Sequence, residues 1–250
     1  MALSKIKTNS IDDSAITNAK ITDSTIDVTA KITGSVPTSN LPTIPVTKGG
    51  TGLTSIGSAN QAMTVNSGAS ALEFSMIKKA GKESIWVPAN AMYPNTTSGC
   101  ASLAQTELGN GPELKTLDFD KDSDEFAQFA VAFPKSWNEG TITFQAFFTG
   151  NSTNTGNVAW TLAGTSLADN GSLNTAFGTA VQATAKAHSG TANDLDVTAE
   201  SGAVTIAGSP STDEFVFFEI ARDVSADNFS ADAKLLGIKL LFTTDAATDT

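Results

Sequence analysis

The chain has 250 residues, a net charge of −11 and 16% charged residues, with a single cysteine and a single histidine. An acidic surface repels nucleic acid and anionic lipid, so those partners are not expected. One cysteine allows no intrachain disulfide, and zinc sites built on Cys and His are excluded by count.

The charge and the aromatics are unevenly spread. Residues 1–81 carry seven Lys against five Asp or Glu, net +2, while residues 82–250 carry eight Lys or Arg against 21 Asp or Glu, net −13. All 18 Phe, Trp and Tyr lie at or beyond Phe74. Each large apolar side chain contributes roughly 1.5–3 kcal/mol when fully buried. Residues 82–250 can therefore build a core, and residues 1–73 are not expected to build one alone.

Residues 1–34 place Ile6, Ile11, Ile16, Ile21 and Ile26 five apart, with Ile32 after a slip of one. Steps of five scatter side chains around a helix, miss the 3.5 period of a coiled coil, and alternate faces on a strand. Three parallel chains resolve this, because each layer then gathers three isoleucines around a shared axis. The expectation for 1–34 is an extended, intertwined trimeric stalk. A single-chain quadrilateral β-helix, with Ser4, Asn9, Ser14, Ala19 and Ser24 as its small residues, stays open, although the stretch barely completes one coil and stacked repeats need neighbours. A disordered polar tail is the third option the composition permits.

Residues 35–81 read as a Pro- and Gly-rich extended shaft or linker. Pro37, Pro42 and Pro45 enforce extended backbone. Gly49, Gly50 and Gly52 follow, and Leu53, Ile56, Met63, Val65 and Leu72 supply sparse apolar layers. The glycines match neither a P-loop, since Lys48 precedes them, nor a dinucleotide fingerprint, since Ser55 stands at the third glycine position. They are read as shaft glycines.

Residues 82–250 show the period-two alternation of half-buried strands. Ala127, Phe129, Val131 and Phe133 share a face, as do Ile142, Phe144, Ala146 and Phe148, then Val216, Phe218 and Ile220, then Leu236, Ile238, Leu240 and Phe242. Weaker strands are predicted near 84–88, 114–119, 157–163, 178–187 and 195–206. Eight or nine strands without a long helix make this an all-β head domain, a β-sandwich of jelly-roll type.

Within that head the sequence offers several sites. In LDFDKDSDEF, the carboxylates Asp118, Asp120 and Asp122 open like a calcium loop, but Ser123 replaces the turn glycine and Phe129 the closing glutamate. The expected role is a strand end and turn, with no metal. His188 is read as a surface or strand-end residue, because no nucleophile elbow accompanies it. The pairs Asp124–Glu125 and Asp213–Glu214 point opposite ways on a strand, whereas glycosidases hold two carboxyls across a cleft. Neither a catalytic residue nor a cofactor is predicted. Recognition is easier to support. Loops at the end of a rigid β scaffold commonly carry it. The candidates are Trp137 and Asn138, the Asn-rich loop with Asn151, Asn154 and Asn157, and the loop with Asn170 and Asn174, with Trp160 as a further aromatic. Core packing is the competing role for both tryptophans.

The segment KGGTGLTSIGSANQAMTVNSGASALEF resembles the connecting element of bacteriophage tail-fibre proteins, and IDDSAITNAKITDSTI resembles their N-terminal Ile-rich repeats. The late phrases SGAVTIAGSPSTDEFVFFEIARD and LLGIKLLFTTDA resemble C-terminal β domains of phage structural proteins. The resemblance implies a homotrimeric virion fibre, made in the bacterial cytoplasm and carried on the particle. Its N-terminus would attach to tail or capsid proteins and its head would contact a host-surface glycan or protein. A capsid head fibre or decoration protein without a receptor, and a tailspike-like polysaccharide depolymerase, are the alternatives. The start MALSKIKTNS lacks a signal peptide's apolar run and no stretch spans a bilayer, so no membrane insertion is expected.

Overall fold

The computed structural model describes residues 50–53, 55–59, 61–76, 80–246 and 249. The stalk isoleucines Ile6 to Ile32 and Gly49 lie outside the described residues. The chain divides into two units, residues 1–77 and 78–250.

In the first unit, β1 (Gln61–Val65) and β2 (Leu72–Met76) pair antiparallel, with Met63 opposite Phe74 and Val65 opposite Leu72. The turn is fixed by Asn66, whose Oδ1 accepts from Ser70 N at 2.9 Å, while Ala69 takes a left-handed φ of 52°. Within the segment expected to be an extended shaft or linker, residues 61–76 thus form a hairpin. Single residues separate the apolar positions in QAMTV and LEFSM, which suits a ladder. Gly50 and Gly52 sit just before, Gly52 at φ 71°. A lone two-stranded hairpin is marginal in water, and this one leaves Val65 62% and Met63 50% exposed, with Ile56 nearby at 95%.

The second unit is built from β3 (Lys82–Pro88), β4 (Tyr93–Pro94), β5 (Ala104–Glu107), β6 (Glu113–Phe119), β7 (Glu125–Ala132), β8 (Thr143–Gly150), β9 (Asn157–Val158), β10 (Trp160–Leu167), β11 (Val181–Gln182), β12 (Lys186–Ala187), β13 (Asp196–Val197), β14 (Ile206–Ala207), β15 (Phe215–Arg222) and β16 (Ala233–Thr243). The first sheet runs β13-β8-β16-β6-β5, with β3 in line with β6 along the same edge of β16. The second runs β11-β10-β15-β7-β4, with β14 parallel to β10.

The two sheets face each other over one core. Leu117, Phe119, Phe144, Phe148, Leu235, Ile238 and Leu240 project from the first, and Ala127, Phe129, Trp160, Leu162, Val216, Phe218 and Ile220 from the second. Contacts across the layers fix the sandwich: Phe119 meets Trp160 edge-on at 5.0 Å and Phe133 meets Phe242 at 5.4 Å. The expected all-β sandwich and three of the four strong alternations are present. The fourth needs correction. On β16 it is Leu235, not Leu236, that is fully buried, because a β-bulge between Leu235 and Gly237 shifts the register against β8. One inserted residue resets the face of everything before it. The segments 178–187 and 195–206 hold only short two-residue strands in place of continuous ones.

Candidate ligand-binding face

The sequence candidates do not form one site. Trp137 is 1% exposed and stacks on Phe133 at 4.3 Å; Trp160 is fully buried between the sheets. Both take the competing core role and neither is a sugar platform, because their rings are the largest available filling between two Phe-rich layers. Asn138 is exposed, with its Oδ1 accepting from Gly140 N at 3.1 Å. Asn154 is spent on structure, accepting from Gly156 N and Ser230 N. Asn157 belongs to β9, where its backbone pairs with β12 and with Asn228. Asn170, at a left-handed φ of 61°, donates to Asp169, and Asn174 N bonds Ser172 Oγ. Asn151 to Asn157 precede β10 whereas Asn170 and Asn174 follow it, so eight extended residues, about 26 Å, divide the two groups.

The acidic run disperses as well. Asp118 pairs with Lys234 at 2.8 Å. Asp120 Oδ1 accepts from Asp122 N and Ser123 N, closing a turn, and Asp124 Oδ1 accepts from Val224 N. The Asp122 amide holds the Asp120 carboxyl below its ordinary range. Among the described residues no three His, Cys, Asp or Glu side chains cluster as a metal site. Glu125 accepts from Asp120 N while Asp124 turns to Val224, and Glu214 takes the Ser166 hydroxyl and Ser211 N. Cys100 is buried, which pushes its thiol up to about 12.

His188 directly follows β12, at the strand end as expected, but it is not on the surface. It is 2% exposed, with Nδ1 2.6 Å from Asp196 Oδ2, Nε2 3.2 Å from the Ser152 carbonyl oxygen, and its ring edge against Phe229. Neither ring nitrogen meets a serine hydroxyl, so this is a structural clasp between loops.

What the fold does gather is a band of side chains on the outer face of the first sheet. Ile85 and Val87 turn inward on β3, so Trp86 turns out and is 48% exposed. Directly paired residues share a face. Trp86 pairs with Lys239 and Lys239 with Gln145, giving one outward row; Pro88, Gly237 and Phe147 give the next; Ser84, Leu241 and Thr143 flank on the other side. The indole leans over Gly237 and meets Phe147 edge-on at 5.0 Å. The missing side chain at 237 is what admits it. A Cβ there would lie 2.7 Å from Cζ2 of Trp86 and 2.6 Å from the Val87 carbonyl. The outcome is an apolar platform fixed in pose and edged with polar groups.

Two depressions open on the same face. One, of about 270 Å³, is lined by Lys82, Glu83, Ser84, Lys239 and Leu241. Nearby Lys82 pairs with Glu200, which also takes the Thr143 hydroxyl, and these two donors hold the Glu200 carboxyl below its ordinary range. The other, of about 170 Å³, lies further along the same face, lined by Thr106, Leu114, Thr116, Asn151, Asn193 and Lys234. Trp86, Gln145 and Asn193 were missed from the sequence. The Ile85-Trp86-Val87 alternation was a usable signal for the first. Asn193 has none, because only the folded loop delivers it to the sheet.

No protein-family model matches this chain, and no curated protein matches it. Among solved structures it is similar to the C-terminal family 6 carbohydrate-binding module of a laminarinase from Zobellia galactanivorans, at 10% identity over 63% of this chain and 98% of that one, TM-score 0.33. It is likewise similar to the family 11 carbohydrate-binding module of Clostridium thermocellum, at 10% identity over 66% and 96%, TM-score 0.34. A third is a cycloisomaltooligosaccharide glucanotransferase from Paenibacillus, at 12% identity and TM-score 0.33, of whose length this chain spans 17%. At these values no ligand or activity transfers to this chain.

Proposed function

We propose that this chain is a non-enzymatic, homotrimeric virion fibre protein of the bacteriophage tail-fibre type, whose head binds a host-surface glycan through the outer face of its first sheet. Residues 1–34 form the attachment stalk on a tail or capsid protein, 35–81 the connecting shaft, and 82–250 the head. The fibre assignment rests on the five-residue isoleucine spacing, the GGTG element and their order along the chain. The glycan assignment rests on one observation: a half-exposed Trp86, posed on Gly237 and Phe147, between the polar side chains of Gln145, Lys239 and Ser84. Sugar rings offer apolar C–H faces to an aromatic surface and hydroxyls to the amide and ammonium groups beside it. Large aromatics of this kind carry most of the energy in binding surfaces. Binding without cleavage is supported by the partners of Asp124, Glu125 and Glu214, each held by groups of its own loop, a neighbouring strand or, for Asp124, the turn after β15.

A printed array of bacterial surface polysaccharides, probed with the full chain and with Trp86→Ala, tests this. The variant is expected to lose at least about 2 kcal/mol of binding, roughly thirtyfold, with its melting temperature little changed. Binding that survives Trp86→Ala intact, or shortening of the polysaccharide during incubation, overturns the reading.

A further inference from the structure

We infer that the depression beyond the platform is a second sugar subsite, and that the head takes an internal run of a neutral polysaccharide rather than a terminal sugar. This rests on the glycan reading of Trp86. The depression opens on the same face of the same sheet, because Thr149 pairs with Lys234, and Lys234 with Asp118, on the outward side two residues beyond Phe147. Along β8 and its exit, Gln145 beside the platform and Asn151 in the depression are six residues apart, and the steps from Gln145 to Gly150 lie within the strand, which separates them by about 17 Å. A single sugar ring cannot reach both.

The chemistry of the lining selects the ligand. The side-chain amides of Asn151 and Asn193 make no hydrogen bond within the described residues, although both line the cavity. Asn193 is held there by its own backbone, its N donating to the Gly150 carbonyl at 2.9 Å with φ at 66°. Each amide offers a donor and an acceptor, matching the dual character of a hydroxyl. The one cation, Lys234, is neutralised by Asp118, which also accepts from the Thr116 hydroxyl at 2.7 Å, so the site carries no net charge to attract an acidic sugar. Leu114 supplies an apolar wall. The −13 charge of residues 82–250 further disfavours polyanionic capsules.

The probes are ladders of neutral β-glucan, α-mannan and galactan oligosaccharides, from disaccharide to octasaccharide, titrated calorimetrically into the full chain. Affinity for the recognised ladder should climb with length and level off once both sites are filled. Asn151→Ala/Asn193→Ala should keep the disaccharide affinity and lose about thirtyfold on the longest member, each amide accounting for about fivefold. Trp86→Ala should weaken every member. A double variant that retains the full length dependence overturns the second subsite and leaves the Trp86 reading intact. Length-dependent binding that is lost in the double variant but untouched by Trp86→Ala overturns the platform instead. Binding confined to charged polysaccharides, or to none of the ladders, overturns both for neutral glycans.

Discussion

At the scale of single residues, the strongest local commitment is Arg222. Its side chain is fully buried on the inward face of β15, where the alternation would otherwise place an apolar residue. All five of its N–H donors are used: Nε and Nη2 on the two oxygens of Asp227 at 2.7 and 3.0 Å, and the rest on the carbonyls of Phe119, Ala231 and Phe229. Only a planar, permanently charged fork satisfies carboxylate and carbonyls together. Removing one partner of such a pair strands the other in the interior at about 3–5 kcal/mol. Arg222→Ala is therefore expected to lower unfolding free energy by that amount, read as a shift in the urea midpoint at constant m. Removing both charges, with Arg222→Met and Asp227→Leu, commonly restores stability in buried pairs. Here it should not, because three backbone carbonyls would be left without a donor. Full recovery in the double variant would show that water reaches those carbonyls and that the clasp is not a closed one.

At the scale of elements, β16 organises the head, and its irregularity explains both what the sequence revealed and what it hid. It pairs with β8 along one edge and with β6 and β3 along the other. The bulge at Leu236 lets one strand serve two partners in line. Strands with unbroken alternation, such as FAQFAVAF and FVFFEI, were legible because period two is a local property of the chain. The bulge was not, because it is decided by which partner each half meets. Trp86 was half legible: its strand was predicted, but its outward aim follows only from setting Ile85 and Val87 inward. Asn151 was reachable as a loop polar residue, whereas its partner Asn193 comes from a loop far along the chain. Trp137 went the other way, since composition alone cannot separate a core tryptophan from a binding one. Gly237 ties the bulge to the platform, and Gly237→Ala tests that link. The added Cβ meets the Val87 carbonyl, held in the β3 ladder, and the Trp86 ring. Overpacking of this kind costs about 1–3 kcal/mol, which for a domain of this size lowers the melting temperature by about 2–4 °C per kcal/mol. Because the ring must also lift, glycan affinity should fall even at temperatures where the variant is fully folded. A stable variant with unchanged affinity would separate the platform from the bulge.

At the scale of the whole molecule, the two ends of the chain pose opposite problems. The head has an ample core but carries a charge of −13, so identical heads repel one another in solution. The N-terminal third has net charge +2 and no aromatic residue before Phe74. Its described part leaves Ile56, Val65 and Met63 largely uncovered. The proposed trimer would answer both, since three chains would cover one another's sparse apolar side chains and the stalk rather than the heads would supply the association energy. It predicts a native mass three times that of the chain. Ile16→Ser combined with Ile21→Ser should reduce that mass to the monomer while the melting transition of the head stays in place. Single-site affinity for a soluble oligosaccharide should not change in that variant. Retention on a glycan-coated surface should fall by about 10²–10⁴, the margin that linked sites gain over separate ones. A wild-type chain that runs as a monomer, or a variant that stays trimeric with both isoleucines replaced, would place the association elsewhere and leave the isoleucine spacing without its purpose.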